Sequence, residues 1–165
     1  MANFLNSFLL FLGCLLISRP AGATDKLSLE IQLSDQTISV VLVNEGDDSV
    51  NGSRGYFLSG LSGGNVIPVV VTELGQLMPP CGHMDYLPEK MEVVPIGSGQ
   101  QVVVWRGTAK IIAGLHCLEE GKYALAFSYM APDGSLVFTG SSVALVVGKK
   151  FSARAEPISG GSGRL

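Results

Sequence analysis

An alternation of large apolar residues with smaller or polar ones over residues 121–130 limits the fold of this chain more than any other feature. The large residues occupy every second position: Tyr123, Leu125, Phe127 and Tyr129. A period of two residues is typical of a β-strand with one buried face. Pro132-Asp133-Gly134 follows and predicts a tight turn, since proline fixes φ and glycine accepts a positive φ. We therefore expect a hairpin that continues through Phe138 and on to Val147.

Other short segments of the same kind are spread along the chain. Residues 27–33 alternate apolar and polar positions, and residues 38–43 are largely β-branched. A weaker strand is predicted at 50–58, strands at 66–74 and 101–105, and a short extended piece at 93–94. Pro68 lacks an N–H to donate and is predicted at a sheet edge or a bulge. Residues 109–115 fit either a short helical crossover or another edge strand. With turn signals every 8 to 12 residues or so, the pattern predicts an all-β antiparallel sandwich of about seven to nine strands.

Composition excludes several other classes of protein. The chain has 165 residues, of which 21 are glycine and only 15% are charged. That is unlike a coiled coil, a helical bundle or a disordered acidic tail. With 11 lysine and arginine residues against 14 aspartate and glutamate residues, the net charge is −3. No basic stripe is available to bind phosphates, so nucleic acid is not an expected partner.

The N-terminal segment is predicted to be a cleaved signal peptide. Its apolar run covers residues 4–17, about 14 residues where a membrane span needs about 20. Ala21-Gly22-Ala23 then supplies the small residues that a signal peptidase accepts, so cleavage is placed after Ala23. A lipoprotein with Cys14 in its lipobox is an alternative, although the apolar run continues beyond that cysteine. The expected organisation is residues 1–23 as signal, 24–148 as the domain and 149–165 as a disordered tail, with no membrane span after cleavage and a periplasmic or secreted location.

Cys81 and Cys117 are the cysteines left after cleavage. An even pair in an exported chain is most simply a disulfide. Its closure of a loop of about 35 residues is worth about 4 kcal/mol in the chain-entropy model. A redox-active pair is less favoured, since neither cysteine belongs to a C-x-x-C motif.

The longest irregular segment, residues 75–92, is the predicted binding region. It contains three prolines, and the disulfide at Cys81 would rigidify it. The candidate binding residues are Met78, His83, Met84 and Tyr86. No cofactor is predicted. In an alternative hypothesis, the chain is a periplasmic copper or zinc binding protein, because thioether and imidazole groups suit these metals. The ligands would be His83, Met84 and His116.

One motif associated with catalysis is present without its required context. Gly60-Leu61-Ser62-Gly63-Gly64 matches the G-x-S-x-G pattern of serine hydrolases. That motif needs a strand before it, a helix after it and an α/β chain around it. Here a proline-bearing strand follows it, so a glycine-rich loop is favoured. We expect no catalytic residues and no enzymatic activity.

Leu118-Glu119-Glu120-Gly121-Lys122-Tyr123 resembles the entry to the penultimate strand of immunoglobulin-like sandwiches, where a tyrosine hydroxyl bonds back to the preceding loop. With the alternating first strand and the Val41–Gly46 sequence VLVNEG, the order over residues 27–147 is similar to small exported bacterial Ig-like domains. These are distantly similar to the bacterial intracellular proteinase inhibitors. The resemblance implies a single immunoglobulin-like sandwich, and makes proteinase inhibition another alternative, although no inhibitory loop motif is present. The expected function is non-enzymatic protein interaction, through an exposed edge strand or the loop of residues 75–92, with another exported or envelope protein as partner.

Overall fold

The computed structural model describes residues 27–54, 66–81, 92–132, 134–149 and 152–158. Within these ranges the chain forms eleven strands and one short helix: β1 (Leu27–Ser34), β2 (Thr37–Asn44), β3 (Val50–Arg54), β4 (Val66–Thr72), β5 (Leu77–Met78), β6 (Glu92–Ile96), β7 (Gln101–Thr108), α1 (Ala109–Leu115), β8 (Gly121–Met130), β9 (Leu136–Phe138), β10 (Val143–Val147) and β11 (Ala153–Pro157). The predicted all-β class is confirmed. The strands outnumber the predicted seven to nine, since some segments are very short or split.

The strands form three antiparallel sheets. A three-stranded sheet has the order β1-β2-β7, and a two-stranded sheet pairs β3 with β6. A six-stranded sheet has the order β11-β10-β8-β4-β5, with β9 also paired to β8. The three-stranded and six-stranded sheets contribute to one hydrophobic core.

Strand β8 supplies the centre of that core, as its alternation predicts. Leu125, Phe127 and Tyr129 are fully buried. Trp105 of β7 meets Phe127 with their ring centroids 5.4 Å apart, which joins the two larger sheets. The Tyr129 hydroxyl accepts a 2.7 Å hydrogen bond from the buried Ser53 N–H, so β3 is also tied to β8.

The predicted turn after β8 is confirmed at its described residues. Gly134 has a φ of 83°, and its N–H donates to the Ala131 carbonyl at 2.9 Å. The single strand predicted beyond the turn is divided, however. Thr139 bonds to Phe127 through its backbone N–H and its hydroxyl, and the chain leaves the ladder before returning as β10. Strands β9 and β10 therefore pair with different parts of the same side of β8.

Among the residues that the structure describes, Pro68 lies at an open sheet edge, as expected. It pairs with Phe127 of β8 on one side, whereas β5 reaches only Val70 and Val71 on the other. Because the backbone groups of Phe127 bond to Thr139 and so point away from β4, the missing N–H of Pro68 would have faced the open edge. No ladder hydrogen bond is lost there.

The structure decides two further predictions made from the sequence. Residues 109–115, which fit either a helix or a strand, form helix α1. The prediction of a disordered tail over residues 149–165 is wrong for residues 153–157, which form β11. This strand pairs with the whole of β10, and Ala153 and Ala155 pack against the core. It satisfies backbone groups that would otherwise remain unpaired along the edge of β10.

Several predictions lie outside the described residues: the signal peptide with its cleavage site and Cys14, the G-x-S-x-G segment, and residues 159–165 of the predicted tail. Among the residues that the structure does describe, no helix is long and apolar enough to cross a membrane.

Candidate functional site

The predicted disulfide between Cys81 and Cys117 is confirmed, with the two Cα atoms 5.9 Å apart. It joins the chain just after β5 to the chain just after α1. Both cysteines are exposed. The bond therefore fixes the start of the predicted binding loop to the C-terminal end of the helix.

Helix α1 ends in a capping motif that places Cys117 for this bond. The Cys117 N–H donates to the Gly114 carbonyl at 3.2 Å, and the Leu118 N–H donates to the Ala113 carbonyl at 2.9 Å. These are the two bonds of a Schellman motif, whose residue after the cap adopts the left-handed conformation. Cys117 has a φ of 47°. A cysteine thus occupies a position that usually favours glycine.

Two hydrogen bonds hold the same junction beside the disulfide. The Cys81 N–H donates to the Leu115 carbonyl at 3.0 Å, and His116 Nδ1 lies 2.7 Å from the Met78 carbonyl oxygen. Since a carbonyl can only accept, Nδ1 carries the proton in this bond. Residues 78–81 are therefore fastened to the end of α1 at three points.

His116 is a buried neutral group in this arrangement. Its side chain is only 3% exposed. Burial lowers its pKa from 6.5, and this effect outweighs the hydrogen bonds to the Met78 and Pro79 carbonyls, which act to raise it. Its Nε2 is buried and makes no hydrogen bond within the described ranges. The geometry gives His116 a structural role in anchoring β5.

The other candidate ligands and binding residues are only partly placed. Met78 is half-buried and packs against the core. His83, Met84 and Tyr86 lie outside the described residues. No group of three or more histidine, cysteine, aspartate or glutamate residues suited to a metal occurs in the described part of the chain.

A second feature, absent from the sequence-based candidates, is the face of the six-stranded sheet that points away from the core. We call it the apolar face. It is formed by every second residue of these strands, opposite to the residues that point into the core, and its central members are Ile67, Val69, Ala124, Ala126, Leu136 and Phe138. Leu136 is 52% exposed and Phe138 39% exposed. Large hydrophobic side chains therefore face solvent where alternation normally places polar ones.

The outer face of the three-stranded sheet serves as an internal comparison. Strand β1 presents four polar side chains there: Ser28, Glu30, Gln32 and Ser34. Across the same face, Arg106 Nε donates to the Ser39 hydroxyl at 3.3 Å. Three valines, Val41, Val43 and Val103, share this face, and Val103 is 37% exposed. The outer face of this sheet is therefore mixed in polarity.

The middle of the apolar face is formed by small residues at alternate positions of β8: Ala124, Ala126 and Ser128. Ala124 and Ser128 are buried, with exposed fractions of 5% and 6%. Ile67 and Phe138 stand on opposite sides of Ser128 in the strand register. Met130 lies at one end of this row and the exposed Lys122 lies at the other. The Arg154–Glu156 ion pair borders the Lys122 end on β11.

A sequence signal for this face does exist. The β4 sequence VIPVVVT and the β10 sequence VALVV are almost continuously apolar. Such runs are typical of strands covered on both faces, whereas a strand that faces solvent on one side alternates. The small residues between the large ones of β8 complete the pattern.

The loop before β8 makes the hydrogen bond that the tyrosine-bearing motif predicts. The Tyr123 hydroxyl donates to the Glu119 carbonyl at 3.1 Å.

Comparison with known proteins finds no matching family model and no matching curated protein.

Proposed function

We propose that this chain is an exported, non-enzymatic domain that binds another exported or envelope protein through the apolar face. The observation that carries the proposal is the contrast between the outer faces of the two larger sheets. The outer face of the three-stranded sheet combines the polar side chains of β1 with valines of β2 and β7. The six-stranded sheet presents hydrophobic side chains on four neighbouring strands, and Leu77, Met130, Leu136 and Phe138 are exposed there.

The size of the apolar face fits a binding surface. Four strand positions at about 4.8 Å spacing and about seven residues of length give a footprint of about 20 Å by about 20 Å. Within this footprint the exposed hydrophobic residues are Leu77, Met130, Leu136 and Phe138. Clustered exposed hydrophobic residues often mark binding sites. The polar boundary of the apolar face near Lys122 and Arg154 matches the usual interface plan of an apolar centre within a polar rim.

The edges of the six-stranded sheet do not favour strand addition. Strand β5 has only two residues and is followed by Pro79 and Pro80, and the edge of β4 beyond it carries Pro68. At the opposite edge, β11 carries Arg154 and Glu156. Short edge strands, proline and charge all discourage the pairing of a further strand. On this sheet we therefore favour the face over the edge-strand route that the sequence also permits.

An immunoglobulin-like sandwich is part of the proposal, and the strand order supports it. The three-stranded order β1-β2-β7 corresponds to A-B-E, and the order β10-β8-β4 corresponds to G-F-C. Strand β8 is then strand F, and the Tyr123 hydrogen bond lies near its start, where a tyrosine corner belongs. The Cys81–Cys117 bond supports a periplasmic or secreted location, because disulfides persist in oxidising compartments.

Affinity capture with matched variants tests the function. The mature domain, a Leu136→Ser/Phe138→Ser variant and a Val103→Ser variant are each used to capture proteins from the native periplasmic or extracellular extract. Val103 is a suitable control, because its 37% exposure is close to the 39% of Phe138 while it lies on the other sheet. We expect a specific protein that the wild type and Val103→Ser retain and the double variant loses. Equal capture by all three, or no specific capture at all, contradicts the proposal.

A further inference from the structure

We propose that a second binding surface lies at the outer edge of β1, where Ile31 and Leu33 pair with a short extended segment of a protein partner. The segment adds an antiparallel strand to the three-stranded sheet. It carries apolar residues at two alternate positions and a polar residue between them. This surface is separate from the apolar face and goes beyond the function proposed for that face.

The backbone of β1 presents hydrogen-bonding groups to this edge. The Leu29 carbonyl accepts a bond from the Gly140 N–H at 3.4 Å, so the backbone groups of Leu29 point away from β2. In a strand of an antiparallel pair, the backbone groups of alternate residues point to the same side. The N–H and carbonyl groups of Ile31 and Leu33 therefore also point away from β2, and no residue that the structure describes pairs with them there.

The first part of the edge is already occupied, and this sets the length of the rest. Thr139 forms a parallel bridge with Leu29, and the chain then turns away to begin β10 at Val143. The remaining part runs from Ile31 to Ser34, about 14 Å at about 3.4 Å per residue. The neighbouring segment thus stops where an added strand would begin.

This part of the edge lacks the features that discourage strand addition on the six-stranded sheet. It contains neither proline nor a charged residue, and all eight residues of β1 pair with β2 in an unbroken register. By contrast, β5 has only two residues, and β11 carries Arg154 and Glu156. A regular, uncharged and proline-free edge is suited to accept a further strand.

The side chains of the same residues determine the chemistry of the partner segment. Ile31 and Leu33 are half-buried and pack against the margin of the hydrophobic core. In an antiparallel ladder each exchanges two hydrogen bonds with one partner residue, whose side chain lies on the same face. The partner residues opposite Ile31 and Leu33 are therefore apolar and extend the core. The residue between them lies beside the exposed Gln32 and is polar.

A second copy of this chain is a poorer occupant of the edge. If two β1 strands pair with Ile31 opposite Leu33 of the other copy, Leu29 comes opposite Asp35. The turn at Asp35 of each copy then meets residues 139–140 of the other, which lie beside Leu29. A segment of another protein can leave the ladder before this point.

A selection from displayed peptides, followed by N-methylation, tests the inference. The mature domain is used to select binders from a random library of eight-residue peptides, and each binding surface is mapped by NMR on the labelled domain. We expect peptides with an apolar-polar-apolar centre that slow the hydrogen exchange of the Ile31 and Leu33 amides. N-methylation of the two apolar peptide residues should weaken binding at least tenfold. N-methylation of the residue between them should leave binding within about twofold, because its N–H points away from β1.

Matched variants of the domain test the contact with the core margin. Ile31→Thr should weaken peptide binding about three- to tenfold, because a hydroxyl replaces part of the apolar surface that the peptide covers. Val103→Thr makes the same kind of change on β7 of the same sheet and should leave peptide binding unchanged.

The outcomes separate this inference from the proposed function. Peptides that tolerate N-methylation at every position, peptides that bind elsewhere on the domain, or a selection without binders each overturn strand addition at β1. A dimer in sedimentation experiments with protected Ile31 and Leu33 amides would assign the edge to a second copy and overturn the separate partner. The capture experiment with Leu136→Ser/Phe138→Ser decides the proposed function on its own.

Discussion

The junction between Cys81 and Cys117 gives a quantitative prediction with two separable parts. The disulfide joins residues 36 positions apart, and the chain-entropy model values that closure at about 4 kcal/mol at 25 °C. Cys81→Ala/Cys117→Ala removes the bond but leaves a residue with a side chain at a φ of 47°. We expect this variant to lose about 4 kcal/mol of unfolding free energy, and about 10 °C of melting temperature.

The second part concerns the left-handed conformation of Cys117. Cys81→Ala/Cys117→Gly removes the same disulfide but places at this position the residue that adopts a positive φ most readily. An ordinary L-residue pays about 1 to 2 kcal/mol in this conformation, offset in part by the greater freedom of glycine in the unfolded chain. The glycine variant should therefore be about 1 kcal/mol more stable than the alanine variant, and remain about 3 kcal/mol less stable than the wild type.

Urea unfolding followed by tryptophan fluorescence measures both differences. Trp105 is the single tryptophan of the chain and is buried against Phe127, so its emission reports the packing of the two larger sheets. If the alanine variant matches the wild type, the bond contributes nothing to stability. If the glycine variant is no more stable than the alanine variant, Cys117 is not left-handed in solution and the capping argument fails.

Three further predictions test other parts of the structure. Because the unfolded chain binds a proton at His116 more readily than the folded chain, the unfolding free energy should fall as pH drops below 6.5, by up to about 1.4 kcal/mol per pH unit. His116→Asn keeps a donor for the Met78 carbonyl and should lose that part of the pH dependence. If the urea midpoints of wild type and His116→Asn change equally with pH, His116 is not the group responsible. Tyr129→Phe should cost about 2 to 3 kcal/mol because it removes the buried hydrogen bonds of the Tyr129 hydroxyl with the Ser53 N–H and hydroxyl. Tyr123→Phe, which removes an exposed hydrogen bond, should cost about 1 kcal/mol. Equal losses in chemical denaturation would contradict the difference in burial. A chain ending at Gly148 should lose about 2 kcal/mol relative to one ending at Ile158, because β11 and the packing of Ala153 and Ala155 are removed; identical melting curves would show that β11 does not form.

The sequence predicts those parts of the fold whose signals are local. The alternation of residues 121–130, the Pro-Asp-Gly turn and the edge position of Pro68 each depend on backbone chemistry that a few neighbouring residues determine. The disulfide follows from cysteine number and the predicted export. Strand β11 is missed because its sequence, ARAEP, is polar and short. Its pairing depends on the open edge of β10, which no local pattern reveals.

The candidate site also combines features that the sequence predicts with features that it does not predict. Reasoning from the sequence brings His116 close to the disulfide, and the structure places it there. It does not reveal that the Nδ1 proton is already used on the Met78 carbonyl, since that contact joins residues 38 positions apart. The apolar runs of β4 and β10 are a sequence signal for the apolar face, but they do not show which residues share it. That grouping becomes visible only when β4, β8 and β9 are placed side by side in register.

The binding constant of the captured partner tests the central claim most directly. It is measured by calorimetry for the wild-type domain, for Leu136→Ser/Phe138→Ser and for Val103→Ser. Removal of two large apolar side chains from the centre of an interface should weaken binding at least tenfold, while Val103→Ser should stay within about twofold of the wild type. Equal dissociation constants for the wild type and the double variant would show that the partner binds elsewhere and that the apolar face is not the binding surface.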